Sequence, residues 1–234
     1  MVHDISAEGL LNSINHPFLF PWQWLLRETD LRYIDCLEIW NDLCYPDNAL
    51  ANPQAVALWT KWLNAGYRIT AIGGSDYHFP YKENSKSGER MGYPITYVYA
   101  ETLSVAGVLD GLRKRRAYVS RDLQLTFEAN LNGQTYGIGA DLGESKGQIN
   151  FSATISPSLK TTQVQLIKNG EIFATQPANG ARGKIHFRDQ VNSSDQAWYR
   201  LEVSAPEGET LAITNPIFVG LRKEPTLLTY GDFL

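Results

Sequence analysis

Cysteine is scarce in this chain, with two residues, Cys36 and Cys44, among 234. Two cysteines cannot build a disulfide scaffold, and theirs is not zinc-ribbon spacing; a single disulfide or two free thiols remain, and free thiols are expected. No apolar run approaches the roughly 20 residues that a membrane-spanning helix needs. The opening MVHDISAEGLL lacks a basic stretch followed by an apolar one, so no secretory leader is expected in it. Positive charge is also limited. No basic block is longer than Arg113-Lys114-Arg115-Arg116, and the formal net charge is -4, from 21 Lys+Arg against 25 Asp+Glu. A nucleic-acid surface has no compositional support, and neither nucleic acid nor membrane is expected as a partner. Histidine is limited to His3, His16, His78 and His186, and no two stand at i and i+2. There is no internal repeat and no low-complexity tract.

What is present suits an ordinary folded chain. Hydrophobic residues make up 43% and charged residues 20%, enough for a core in one large domain or two small ones. The pattern changes near Ser120. Before it, short apolar runs alternate with helical stretches: strand candidates at 12–15, 33–40, 68–72 and 94–100, and helices at 53–65 and from 105 to about 116. Asn52, Pro53 and Gly66 are read as the cap, first turn and stop of the first helix, and Ser104 as the cap of the second. That alternation predicts βαβ units. After Ser120 about seven strand-like runs follow, separated by Gly, Asn, Pro or Ser, and Asn169-Gly170 marks a hairpin. A β-sandwich is predicted there.

The chemistry concentrates at the ends of the first strands. GGSDYH (Gly73 to His78) follows the strand candidate at 68–72, and two glycines allow a sharp turn. Asp76 and His78 stand at i and i+2, on one side of an extended segment. They could share a divalent metal such as zinc, manganese or iron, Asp76 could orient His78, or the stretch could be a plain turn. His16 follows the strand at 12–15. Ligands of parallel α/β folds bind at strand carboxyl ends, where both histidines are expected. Glu38 and Asn41 end another strand. Glu38 in an apolar run is costly unless paired, so it is either a functional or a structural acid. His186 reads as structural, His3 as solvated, and Trp22, Trp24, Trp59 and Trp62 as core. Lys82, Lys86 and Arg90 sit in a polar loop that could meet an anionic substrate, with a solvated loop the simpler reading.

INHP, LEIWN and GGSDYH, in that order and followed by GYPITYVYAETLSVAGVLDGLRKRRAYVSRD, resemble the later motifs of the PHP (polymerase and histidinol phosphatase) superfamily, and in particular its CehA/McbA-type metallohydrolases. The resemblance covers roughly Gly9 to Arg121. It implies an α/β chain: a partial, distorted β/α barrel over 1–120 followed by a β-sandwich over 121–234. It also implies a divalent metal (zinc, manganese or iron) held by His16, Asp76 and His78, with Glu38 and Asn41 as catalytic residues. The implied activity is metal-dependent hydrolysis of a small phosphate ester or a related ester or amide. The family's opening HxH and Asp-His motifs do not occur here. The expectation is therefore a barrel without its first strands, weak or inactive alone, whose exposed edge invites self-association. The competing expectation is a non-catalytic module that binds carbohydrate or a protein partner through the sandwich.

Overall fold

The computed structural model describes residues 2–78, 90–157, 162–178 and 184–234. Its strands are β1 (Ser13–Ile14), β2 (Cys36–Asn41), β3 (Thr70–Gly74), β4 (Ile95–Val98), β5 (Ala117–Ser120), β6 (Gln124–Leu131), β7 (Gln134–Gly137), β8 (Gly147–Ser156), β9 (Thr162–Lys168), β10 (Glu171–Ala178), β11 (Ile185–Val191), β12 (Ala197–Ser204), β13 (Thr210–Thr214) and β14 (Ile217–Val219). The helices are α1 (Val2–Ala7), α2 (Asn48–Ala65) and α3 (Val105–Arg113).

The strands form three sheets. β1, β2 and β3 make a small parallel sheet in that order, β11-β8-β6-β7 a four-stranded one, and β10-β9-β12-β13-β5-β4 a larger one that also pairs β14 with β12. The seven-stranded sheet takes strands from both sides of residue 120. Its inner strands β5, β12, β13 and β14 are buried on both faces, and neighbouring residues therefore serve different cores. Tyr118, Leu166, Tyr199, Ala212 and Ile217 face the four-stranded sheet and complete the sandwich core with Phe127 and Phe151. Val119, Ile167, Trp198, Ile213 and Phe218 face the other way, onto Trp59 and Trp62 of α2 and Ile39 and Ala71 of the parallel strands.

The expected partial barrel does not form. The parallel strands remain an open sheet of three, and the next strand, β4, pairs antiparallel with β5 (Ile95 opposite Ser120). The alternation of strand and helix is visible in the sequence, but the pairing direction is not. The segment through α3 turns the chain back beside β4 instead of crossing over to a parallel neighbour. β3 is not left open where a barrel strand would have followed. The Asn215 side chain accepts from the Ala71 N–H (2.8 Å) and donates to the Ala71 carbonyl (2.9 Å) and the Ala117 carbonyl (3.0 Å). Thr96 Oγ1 accepts from the Gly73 N–H (2.8 Å) and donates to the Gly73 carbonyl (2.7 Å). The edge of β3 is closed along these residues.

Local details follow from the residues. α2 starts at Asn48, ahead of the expected Asn52 cap, and carries Pro53 inside it. Asn52 instead clamps the end of β2. Its Oδ1 accepts from the Asn41 N–H (2.9 Å) and its Nδ2 donates to the Asn41 carbonyl (2.8 Å). Gly66 ends the helix at φ 106 as expected, and Ser104 caps α3 through the Gly107 N–H. Asn169 and Gly170, both at positive φ, make the tight β9–β10 hairpin. The last turn, Tyr230–Phe233, folds back onto α2. Tyr230 and Phe233 are buried edge-on against Trp62, and Lys61 Nζ donates to the Phe233 carbonyl (3.0 Å).

Asn215 is fully buried, and loss of its side chain leaves the Ala71 N–H and carbonyl without these partners, while the Ala117 carbonyl keeps the N–H of residue 215 (3.1 Å). Asn215→Ala is expected to lower unfolding free energy by about 3 kcal/mol. Urea denaturation of the variant and the parent measures this.

Candidate functional site

Parallel pairing puts the carboxyl ends of β1, β2 and β3 on one edge, and the segments leaving them meet there. They line a cleft of about 650 Å³ with His16, Trp22, Asn41, Tyr45, Asp76 and His78 in its walls. His16 and Asp76 each leave their strand at positive φ, 32° and 46°. The sharp turn after β3 thus falls at Asp76 and not at the two glycines, which lie within the strand. Gly73 serves a different need. A Cβ there would stand 2.6 Å from both the Trp40 carbonyl oxygen and Val119 Cγ1. The glycine lets β3 pass tightly between β2 and the seven-stranded sheet.

Glu38 lies beneath the cleft floor, 7% exposed. Its Oε2 accepts from the His16 N–H (2.7 Å) and from Asn41 Nδ2 (3.2 Å). Asn41 Oδ1 in turn accepts from Asn48 Nδ2 (2.9 Å). Burial pushes the Glu38 carboxyl up from the usual range, and the bonds from His16 and Asn41 pull it partly back. Glu38 and Asn41 therefore act on one another and on the chain, holding the ends of β1 and β2 and the start of α2 together.

His78 Nε2 lies 3.1 Å from Asp76 Oδ1, with 72% of the histidine side chain exposed. His16 Nδ1 lies 3.1 Å from the Trp22 carbonyl. A carbonyl only accepts, so Nδ1 is the donor in this contact, and in the neutral ring Nε2 is the acceptor. The three residues share one cleft, but they do not form a metal-holding group in this arrangement. Among the described residues no three His, Cys, Asp or Glu side chains do. What the arrangement offers as it stands is hydrogen bonding: a carboxylate, two imidazoles and an aromatic rim.

The rim does not follow from the sequence reading. Trp22, expected in the core, is 57% exposed and meets Tyr45 edge to face at 5.9 Å. Trp59 and Trp62 are buried as expected. The available signal for Trp22 is its position in a stretch between β1 and β2 that has neither helical nor strand periodicity, where nothing requires burial. Arg90 lies away from the cleft, paired with Asp122 (2.5 Å) and stacked on Tyr93 (4.2 Å). Lys82 and Lys86 lie outside the described residues. Neither cysteine forms a disulfide, and burial, then the neighbouring Asp35, pushes the Cys36 thiol up to about 12.

No family model matches the chain, and no curated protein matches it. Two solved structures show some similarity: the CARDB domain of the PF1109 protein from Pyrococcus furiosus in a crystal structure with di-metal ions, and the same domain in solution by NMR. Each is 12% identical over 42% of this chain, covering 94% and 96% of the respective structures, with TM-scores of 0.28 and 0.25. The resemblance to the PHP superfamily is overturned by the open sheets and by the absence of any family match. The hydrolase class is implied only through that resemblance and has no other support in the fold or the comparisons. Its motifs are short segments at strand ends, which a small parallel sheet of a different fold also provides.

A carboxyl raised by folding favours the folded state below its ordinary value and loses that contribution as pH rises through the raised one. Glu38→Gln keeps an acceptor for both donors and removes the titration. The parent's stability relative to Glu38→Gln is expected to decline as pH rises from about 4 to 7. Parallel urea melts across that range check it, with a flat difference as the contrary result.

Proposed function

We propose that this chain is a non-catalytic binding module, and that the cleft at the carboxyl ends of β1, β2 and β3 takes a small hydroxyl-rich ligand of the carbohydrate class. The observation that carries this reading is the convergence of three strand ends on one cleft of about 650 Å³. That volume is in the range of small-molecule sites, about 300–1,000 Å³. The strand carboxyl ends of a parallel sheet are a favoured place for them.

Further support comes from how the groups are held. Two non-glycine residues in the left-handed region, His16 and Asp76, both line the cleft. Such conformations cost about 1–3 kcal/mol each and gather where a side chain must be aimed. Glu38 is occupied with the His16 and Asn41 bonds, so its role here is to fix the cleft floor and not to react. Asp76, His78 and the free Nε2 of His16 supply acceptors and donors suited to hydroxyl groups. The exposed face of Trp22 supplies an apolar platform against which a sugar ring can stack. The sandwich beneath serves as the rigid base.

The test is a titration of the labelled protein with a panel of mono- and oligosaccharides, followed by NMR. The expected result is saturable movement of the Trp22 indole and His78 signals. Trp22→Ala and His78→Ala, both changes of exposed side chains, should each weaken binding about tenfold or more. Movement confined to the four-stranded sheet, with His78→Ala binding as the parent does, would place the ligand on the sandwich and defeat this reading of the cleft.

A further inference from the structure

A second cavity, of about 330 Å³, lies at the other end of β3. Arg68, Arg222 and Lys223 line it, together with the amide side chains of Asn64, Asn169 and Gln196, and no Asp or Glu stands in its walls among the described residues. Asp141, from outside the cavity, pairs with Arg68. A third guanidinium stands close by. The Cζ atoms of Arg68 and Arg115 lie 4.5 and 5.8 Å from the centre of the same Phe218 ring. Arg115 donates to the carbonyls of Arg113 (3.1 Å) and Gly139 (3.5 Å), and its buried Nε has no hydrogen-bond partner.

Two guanidiniums over one ring, with Arg222 and Lys223 in the adjoining cavity wall and one carboxylate, Asp141, paired with Arg68, leave the positive charge unbalanced. Arg68 registers it: burial, then the charges of Arg115 and Arg222, bring its guanidinium down to about 10. The adjoining carboxyl end of α2 does not account for the cations. Its Leu63 and Trp62 carbonyls accept from the Gly66 N–H (3.1 Å) and the Tyr67 N–H (3.0 Å) instead. A mobile anion seated among the cations would balance them, and guanidinium forks match tetrahedral oxyanions in geometry as well as charge.

We propose that this cavity binds an oxyanion of the phosphate class, either free phosphate or the phosphomonoester of a small molecule, through Arg68, Arg222 and Lys223. The proposal is independent of the ligand in the cleft. It is tested by calorimetric titration of the full chain with inorganic phosphate and with glycerol 3-phosphate, each against sodium chloride at matched ionic strength. Saturable binding of phosphate is expected, weakened about tenfold or more in Arg222→Gln and in Lys223→Gln. Both side chains are exposed, so the ligand-free melting temperature of each variant should match the parent's. Tighter binding of glycerol 3-phosphate than of phosphate assigns the site to esters, and equal or weaker binding assigns it to the free ion. Heat no greater than chloride produces, or full binding retained in both variants, overturns the proposal.

Discussion

A single buried amide joins the two halves of this architecture. Asn215 presents a peptide-like group to the edge of β3, giving and taking a hydrogen bond at Ala71 as a neighbouring strand would, and reaches across to Ala117 in β5. A sheet edge against a packed layer would otherwise bury backbone groups without partners. Thr96 repeats the device at Gly73 and Asn52 repeats it at Asn41, so side chains finish what strands would have continued. The parallel sheet can therefore stop at three strands, with α2 and the seven-stranded sheet sharing one apolar layer built on Trp59 and Trp62.

The cleft inherits its geometry from this arrangement. β2 is buried along its whole length, so an acid in its middle must be either neutralised or bonded. Glu38 uses its position to tie the turn at His16 to Asn41, and through Asn41 to α2. The groups that face the open space, Asp76, His78 and the Trp22 ring, stand on the short exits from the strands. Rigid layers below and polar groups on loops above is the common division of labour in binding sites.

Wherever the signal is local, much of this is legible in the amino-acid sequence. Gly66 and Ser104 mark helix ends because caps depend on one or two residues, and Asn169-Gly170 marks a hairpin for the same reason. Most sandwich strands show their alternation. β5 is hidden because Ala117–Ser120 is short, buried throughout and preceded by four basic residues, so it shows no alternation to detect. β7 escapes the sequence reading although Asn132-Gly133 carries the same hairpin signal as Asn169-Gly170. What cannot be read is non-local. The antiparallel return of β4 and β5, the edge-closing part played by Asn215, and the need for Gly73 to lie bare against Trp40 and Val119 depend on partners far along the chain. His16, Asp76 and His78 are legible as residues sharing one place. The Asp76–His78 contact is one of the alternatives the sequence leaves open, and the bonds of His16 to Glu38 and to the Trp22 carbonyl are not legible in it.

The closing turn at Tyr230–Phe233 has a consequence for how the protein is made. The apolar layer around Trp62 is finished by residues that contact it across 160 to 213 positions of sequence, through Lys61 with Phe233, Tyr67 with Leu227, and Tyr230 with Pro17. During synthesis from the amino end, α2 and the parallel strands emerge long before the segment that covers them. Contacts so distant in sequence are slow to form, and uncovered apolar surface attracts other chains in the meantime. The early layer must wait in an unfinished state until residues 227–233 have been made, and its exposure to misassembly lasts through the synthesis of everything between.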